Sequence, residues 1–200
     1  MKYHSFQASD FYQRWDDKFR NQDASHKTIL LGDSITAGLR GHTESLTFDS
    51  VNWGISGDTS KLLLNRVNKY HFSGSNAVHL MIGTNDLGRN TSIKDIIVNI
   101  DSIIHLFQEK SINVYLYKVL YTDGVSRRNS DISLLNQEIE LLSNKRNIIL
   151  VDLNKSLSND NKLIDEYSYD GLHLNKLGYE VWLKELNTLS QKNTTLQPIN

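Results

Sequence analysis

Short apolar runs alternate with longer amphipathic stretches along almost the whole chain, and this alternation limits the fold more than any other feature. Strand-like runs fall at 28–32, 47–52, 76–82, 112–118 and 148–152. The clearest are Asn76-Ala77-Val78-His79-Leu80-Met81-Ile82, Ile112-Asn113-Val114-Tyr115-Leu116-Tyr117 and Ile148-Ile149-Leu150-Val151. Between them, helical patterns occupy 58–70, 91–110, 130–146 and 175–190. In 91–110, Ile93, Ile96, Ile97, Ile100, Ile103, Ile104 and Phe107 recur at the helical period. The connections are too long for hairpins, so the strands are expected to run parallel with helices on both faces. The expected fold class is α/β: a three-layer α/β/α sandwich around a central five-stranded, mostly parallel sheet. Residues 5–22 add an N-terminal amphipathic helix, with Phe11, Trp15 and Phe19 at four-residue intervals to pack on the domain. Residues 191–200 are polar, hold the only proline and read as a frayed tail. No repeat, linker or composition break divides residues 1–200, so one domain is expected.

Composition excludes several classes of function. A net charge of −1 offers no basic excess for a nucleic-acid backbone. There is no cysteine, hence no disulfide framework, thiolate metal site or cysteine nucleophile. The stretch Met1-Lys2-Tyr3-His4-Ser5-Phe6-Gln7 lacks the apolar segment of a signal peptide, and no apolar run approaches membrane-spanning length. The expected location is the cytoplasm.

In open parallel sheets, sites form at the carboxyl ends of the strands. The residues there are Gly32-Asp33-Ser34, then Trp53-Gly54-Ile55-Ser56-Gly57-Asp58, then Gly83-Thr84-Asn85-Asp86. Tyr169-Asp170-Gly171-Leu172-His173 follows the last crossover. Acyl transfer needs a nucleophile, a base, a group that orients the base, and donors for the oxyanion. Ser34 at a strand-to-helix turn is the candidate nucleophile and His173 the candidate base. Asp170, three residues earlier, would hold the His173 Nδ1–H if the segment turns. The Ser34 N–H, the Gly57 N–H and the Asn85 amide are candidate oxyanion donors. Ile35, Trp53, Leu87, Tyr121 and Leu172 are candidates for the wall of a substrate pocket.

Each piece also has a structural reading. Ser34 could cap a helix, Gly54 and Gly57 could make a turn, and Asn85 could form an Asx-turn or a cap. Asp170 could make a local turn beside a surface histidine. The convergence of four such pieces on strand ends favours the catalytic reading. His79 falls inside a strand as a core residue, His105 faces solvent on its helix, and Tyr179 and Trp182 mark the core face of the last helix. Two rivals start from the same residues. Asp33, Asn85, Asp86 and His173 would serve as ligands in a metal-dependent phosphoesterase. Gly83-Thr84-Asn85-Asp86-Leu87-Gly88 resembles half a phosphate-binding loop, but Arg89-Asn90 stand where Lys-Ser/Thr is needed.

Taken together, these blocks resemble the SGNH (GDSL-type) hydrolases, which are defined by Ser, Gly, Asn and His in four successive segments. The resemblance runs from about residue 12 to about residue 190. It is strongest to the branch of the intracellular platelet-activating-factor acetylhydrolase catalytic subunits, on Arg14-Trp15, the second block through Thr59, His173-Leu174 and Gly178-Tyr179. It implies a flavodoxin-like fold and a carboxylic ester hydrolase with Ser34, Asp170 and His173 as triad. The Ser34 N–H, Gly57 N–H and Asn85 would form the oxyanion hole, and no metal or organic cofactor would be needed. The implied partner is a small-molecule ester (lipid, sugar or aryl), and a homodimer is compatible. Crowding by Ile35 and Leu172 favours a short acyl group, acetyl above all. Lysophospholipase or acyl-thioesterase activity on longer chains is the alternative. The chain departs from the family where Leu174 replaces a frequent proline. Its loop Tyr121-Thr122-Asp123-Gly124-Val125-Ser126-Arg127-Arg128 matches no substrate-specific pattern.

Overall fold

The computed structural model describes residues 9–195, with side chains through residue 191. Helix α1 (Asp10–Arg20) precedes β1 (Thr28–Gly32), the short α2 (Ser34–Gly38) and a 3-10 segment (Leu39–Ser45). Then follow β2 (Ser50–Asn52), α3 (Ser60–Val67), β3 (Ala77–Met81), α4 (Thr84–Gly88), α5 (Ile93–Gln108) and β4 (Asn113–Tyr117). The chain continues through α6 (Asn129–Arg146), β5 (Ile149–Val151), α7 (Asn154–Leu157), a small hairpin of β6 (Ser158–Asn159) and β7 (Lys162–Leu163), a 3-10 turn (Asp165–Tyr167) and α8 (Lys176–Thr195).

The five main strands lie in the order β2-β1-β3-β4-β5, and every pairing is parallel. From β1 the chain steps to β2 on one side and then to β3 on the other. The strand order therefore reverses at β1, and a crevice opens beyond the carboxyl ends of β1 and β3. Alternation along each strand feeds two cores. Ile29 and Leu31, Val78 and Leu80, and Val114 and Leu116 face the layer of α1, α3, α5 and α6. Leu30, Met81, Tyr115 and Tyr117 face α2 and α8, where Tyr179 and Trp182 are buried. His79 belongs to this second face. Its ring stacks on Tyr115 at 4.4 Å, and its Nδ1 meets the Tyr117 hydroxyl at 2.8 Å. Burial drives its pKa down to about 3, so it is a neutral core residue.

Four differences from the sequence expectations have local causes. In α1 the buried aromatic residues are Tyr12 and Phe19, whereas Phe11 is 48% exposed. The Tyr12 hydroxyl has polar partners beneath the sheet ends (Asp58 at 3.4 Å and the Leu62 carbonyl at 3.4 Å), so it can go inside. Residues 5–8 of the expected helix lie outside the described residues. The β6–β7 hairpin was not expected. Its turn residues Asp160 and Asn161 both have positive φ, the signature of a tight hairpin turn that a two-residue strand barely announces. Helix α4, of five residues, was not expected either. Helix α8 runs on to Thr195, into the segment read as a tail.

The second strand-end block is tied down by charge. The Arg66 Nε donates to Asp58 Oδ2 at 2.8 Å, with both side chains at most 1% exposed. The same guanidinium donates to the Trp53 carbonyl at 2.6 Å and to Gly32 O at 3.4 Å. Burial pushes the Asp58 carboxyl up to about 6, against the pull of Arg66. Removing one partner strands a buried charge, which costs about 3–5 kcal/mol. Asp58→Ala is therefore expected to lose stability of that order in urea unfolding. A loss below about 1 kcal/mol would show that the pair does not hold these strand ends.

Candidate active site

The first strand ends in a turn that raises Ser34. Asp33 caps α2, its Oδ1 accepting from the Ile35 N–H at 2.9 Å. This leaves the Ser34 N–H as the first of the short helix, at a residue that lines the cleft. Gly54 packs so closely on α2 that an added Cβ would stand 2.4 Å from the Ala37 nitrogen. Only glycine allows the second block to reach the nucleophile's turn.

The second half of the site comes from the loop before α8. Asp170 folds back on His173: its Oδ1 accepts from the His173 N–H at 2.7 Å and the Leu172 N–H at 3.0 Å. Its Oδ2 meets His173 Nδ1 at 2.7 Å. Partial burial would raise the Asp170 carboxyl, but these hydrogen bonds outweigh it and hold the group below its ordinary value. Asp170 is thus an anion fixing Nδ1–H, which leaves Nε2 toward the serine. Ser34 Oγ lies 3.0 Å from His173 Nε2. The loop itself is braced. Ser168 Oγ donates to the His173 carbonyl at 2.7 Å and accepts from the Gly171 N–H at 2.8 Å. The Asp123 N–H donates to the Gly171 carbonyl at 2.7 Å. The loop of residues 121–128, which carried no recognisable pattern, therefore supports the histidine segment.

Gly57 turns at φ 82°, and the Arg89 guanidinium donates to its carbonyl at 2.8 Å. Asn85 opens α4 and spends one amide N–H on the Asp58 carbonyl at 2.9 Å, which leaves the other for a ligand. Ser34, Gly57, Asn85 and His173 all line one cleft of about 980 Å³.

The walls of that cleft differ from the sequence expectation. Of the five candidates, Leu172 lines it. Ile35 and Trp53 are buried in the two cores, because α2 turns Ile35 inward and the Trp53 ring fits under Tyr70. Leu87 packs partly against the core, and Tyr121 borders a separate polar cavity near α7. In their place stand Phe11, Trp15, Arg40, His42 and Tyr179, and Tyr169 beside the histidine segment also lines the cleft. Phe11 and Trp15 were visible as an aromatic pair but read as core. Arg40 and His42 sit in a segment without periodicity and gave no signal.

For the metal-ligand alternative, the Asp86 carboxylate is already engaged: it accepts from the Ser60 N–H at 2.9 Å and the Ser60 hydroxyl at 2.7 Å. Among the described residues no group of three or more His, Asp or Glu side chains is placed to hold a metal ion.

Beside the nucleophile, burial raises the Asp33 carboxyl to about 7, although the Ile35 N–H opposes it. The folded pKa lies above the unfolded one, so the folded state favours the neutral acid. Asp33 therefore lowers stability as pH rises from about 4 through 7. Asp33→Asn keeps the cap acceptor and cannot ionise. Its urea midpoint is expected to fall less than the wild-type midpoint between pH 5 and pH 8, and parallel profiles would refute the assignment.

Comparison with known proteins places the chain in a family. The model of the GDSL-like Lipase/Acylhydrolase family matches residues 30–181. A GDSL-like lipase from Bacteroides thetaiotaomicron superposes with a TM-score of 0.78 at 25% identity, covering 92% of this chain and 100% of that one. An acetylxylan esterase from Geobacillus stearothermophilus shares the fold at a TM-score of 0.63 and 18% identity, covering 82% of this chain and 94% of the other. Among curated proteins, an N-acylneuraminate cytidylyltransferase from Streptococcus agalactiae serotype V is 28% identical over 187 residues, 90% of this chain. The chain spans only 43% of that relative's length. With a family match over residues 30–181 and the hydrogen-bonded series Ser34–His173–Asp170, the chain belongs to the GDSL-like lipase/acylhydrolase family.

Proposed function

We propose that the protein is a serine esterase that removes short acyl groups, chiefly acetyl, from O-acylated carbohydrates. The observation that carries the chemistry is the continuous chain from Ser34 Oγ to His173 Nε2 (3.0 Å) and from His173 Nδ1 to Asp170 (2.7 Å). His173 takes the Ser34 proton as Oγ attacks the ester carbonyl. The Ser34 and Gly57 N–H groups and the Asn85 amide receive the oxyanion, and their fixed dipoles need little reorganisation. His173 then protonates the departing alcohol. Water, deprotonated by the same ring, releases the acid from Ser34.

Two features support the substrate class. Leu172 stands next to the base in the sequence and lines the cleft, and we assign it to the acyl side. The same cleft is lined by Phe11, Trp15 and Tyr169 with polar neighbours Ser56 and Asn175, which we assign to the alcohol side. Flat rings packing against C–H faces, with a few polar groups, suit a sugar better than an extended acyl chain. The names of two similar proteins point the same way, one an acetylxylan esterase and the other acting on N-acylneuraminate.

The test is a panel of esters from acetyl to long acyl, including O-acetylated sugars. Acetyl esters are expected to show the highest kcat/KM, and a rising trend toward long acyl chains would overturn the short-acyl assignment. Ser34→Ala is expected to lower turnover by at least about 10³-fold, and unchanged turnover would remove the serine mechanism. Asp170→Asn is expected to cost about 10³–10⁴-fold in kcat, because the imidazole loses the partner that fixes its tautomer.

A further inference from the structure

The catalytic cleft carries a charge bias that the hydrolytic chemistry does not require. The chain as a whole is balanced, with 22 basic and 23 acidic residues. Among the described residues, no Asp or Glu lines the cleft, whereas Arg40, Lys176 and two histidines do. The Asp170 carboxylate next to it is taken up by His173 and two backbone N–H groups.

Arg40 is the unusual member. Its guanidinium lies over the Trp15 ring at 3.9 Å and within 5.4 Å of the Phe19 ring. One terminal nitrogen donates to the Gly54 carbonyl, while Nε is buried without a hydrogen-bond partner. Among the described residues Arg40 forms no ion pair with a carboxylate. Burial accordingly pulls its pKa down to about 10, with the charge of Arg66 adding to the effect. An arginine half withdrawn from water with no counter-charge weakens the fold unless something compensates. The aromatic stack and the Gly54 carbonyl hold its plane, so the terminal N–H groups not spent on Gly54 need little further ordering to meet an oxyanion. Lys176 stands on another wall of the cleft, at the start of α8. It is 79% exposed and only 4.0 Å from its nearest acidic partner, Glu180. A cation so loosely held is free to turn toward a ligand.

We propose that the cleft selects acyl esters whose alcohol portion carries an anionic group, a carboxylate or a phosphate, and that Arg40 is the residue that recognises it. This rests on the esterase reading and adds the substrate's charge to it. The anion would supply the counter-charge that Arg40 lacks, and Lys176 would add a second, screened attraction.

The test uses acetyl esters of one ring that differ in charge: 3- and 4-acetoxybenzoate, their methyl esters, and 4-acetoxyphenyl phosphate. Each kcat/KM is divided by the rate of hydroxide hydrolysis, which removes differences in leaving-group reactivity. Wild-type enzyme is expected to prefer an anionic ester over its neutral counterpart by about 10-fold or more, the size of one charge-assisted hydrogen bond. Whether carboxylate or phosphate is favoured identifies the source of the charge. The preference is expected to collapse in Arg40→Gln, to shrink in Lys176→Gln, and to weaken as salt is raised. Equal corrected rates for charged and neutral esters would overturn the inference while leaving the esterase intact. A preference retained in Arg40→Gln would remove Arg40 from the role. Should that variant fail to fold, Lys176→Gln and the wild-type ratio still decide whether the cleft selects anions. Failure to cleave any of the esters would instead bring down the esterase reading itself.

Discussion

The buried pair of Arg66 and Asp58 holds the working end of this molecule together. Arg66 reaches from α3 to Asp58 and to the carbonyls of Trp53 and Gly32, so one guanidinium joins the ends of β1 and β2. Those ends carry Ser34 and Gly57. Asp58 in turn offers its carbonyl to Asn85, which ties the end of β3 into the same network. Three parallel strands deliver Ser34, Gly57 and Asn85. Past Asn52 the Trp53 N–H still donates to the Leu30 carbonyl at 2.8 Å and the Ile55 N–H to the Gly32 carbonyl at 3.1 Å, and the charge-assisted hydrogen bonds of Arg66 add to this backbone pairing. Such bonds are strong only when dry and fully satisfied, which explains why this polar cluster is as deeply buried as the apolar core.

The base and its carboxylate are held differently. They come from a loop, with Asp170 and His173 partly open to solvent. Local hydrogen bonds fix them: Asp170 to two backbone N–H groups, Ser168 across the turn, and Asp123 to Gly171. The site thus joins a rigid floor of strand ends to a self-bracing loop. The cleft between them stays broad, and its far wall is built from α1 and the 3-10 segment. In the proposed function the floor and the loop carry the chemistry, and the far wall, where Arg40 and Trp15 stack, carries the selectivity.

Much of this was legible in the residues. The strands 28–32 and 76–82 were found because a buried parallel strand needs an unbroken apolar run, and that pattern survives any packing detail. The juxtaposition of Ser34, His173 and Asp170 was legible because acyl-transfer chemistry demands particular side chains after particular strands. The cleft wall was not. Phe11 and Tyr12 are both aromatic at the start of one helix, and periodicity alone favoured the wrong one for burial. The partner that draws Tyr12 inside, Asp58, lies 46 residues away. Ile35 and Trp53 were expected at the substrate because they adjoin site residues, yet neighbours along a turn point in opposite directions.

The sequence by itself determined the class of fold, and it named Ser34, His173 and Asp170 at the strand ends as candidates that the structure brings within hydrogen-bond distance of one another. Local pattern suffices for these, since periodicity reports burial and spacing reports which segment follows which strand. Only the tertiary structure decided which side chains face the substrate, that the segment after Tyr121 supports the histidine loop, and that Arg40 enters the cleft without a counter-charge. Those outcomes depend on contacts between segments far apart in the chain, and on which buried polar group finds a partner, which no local pattern records.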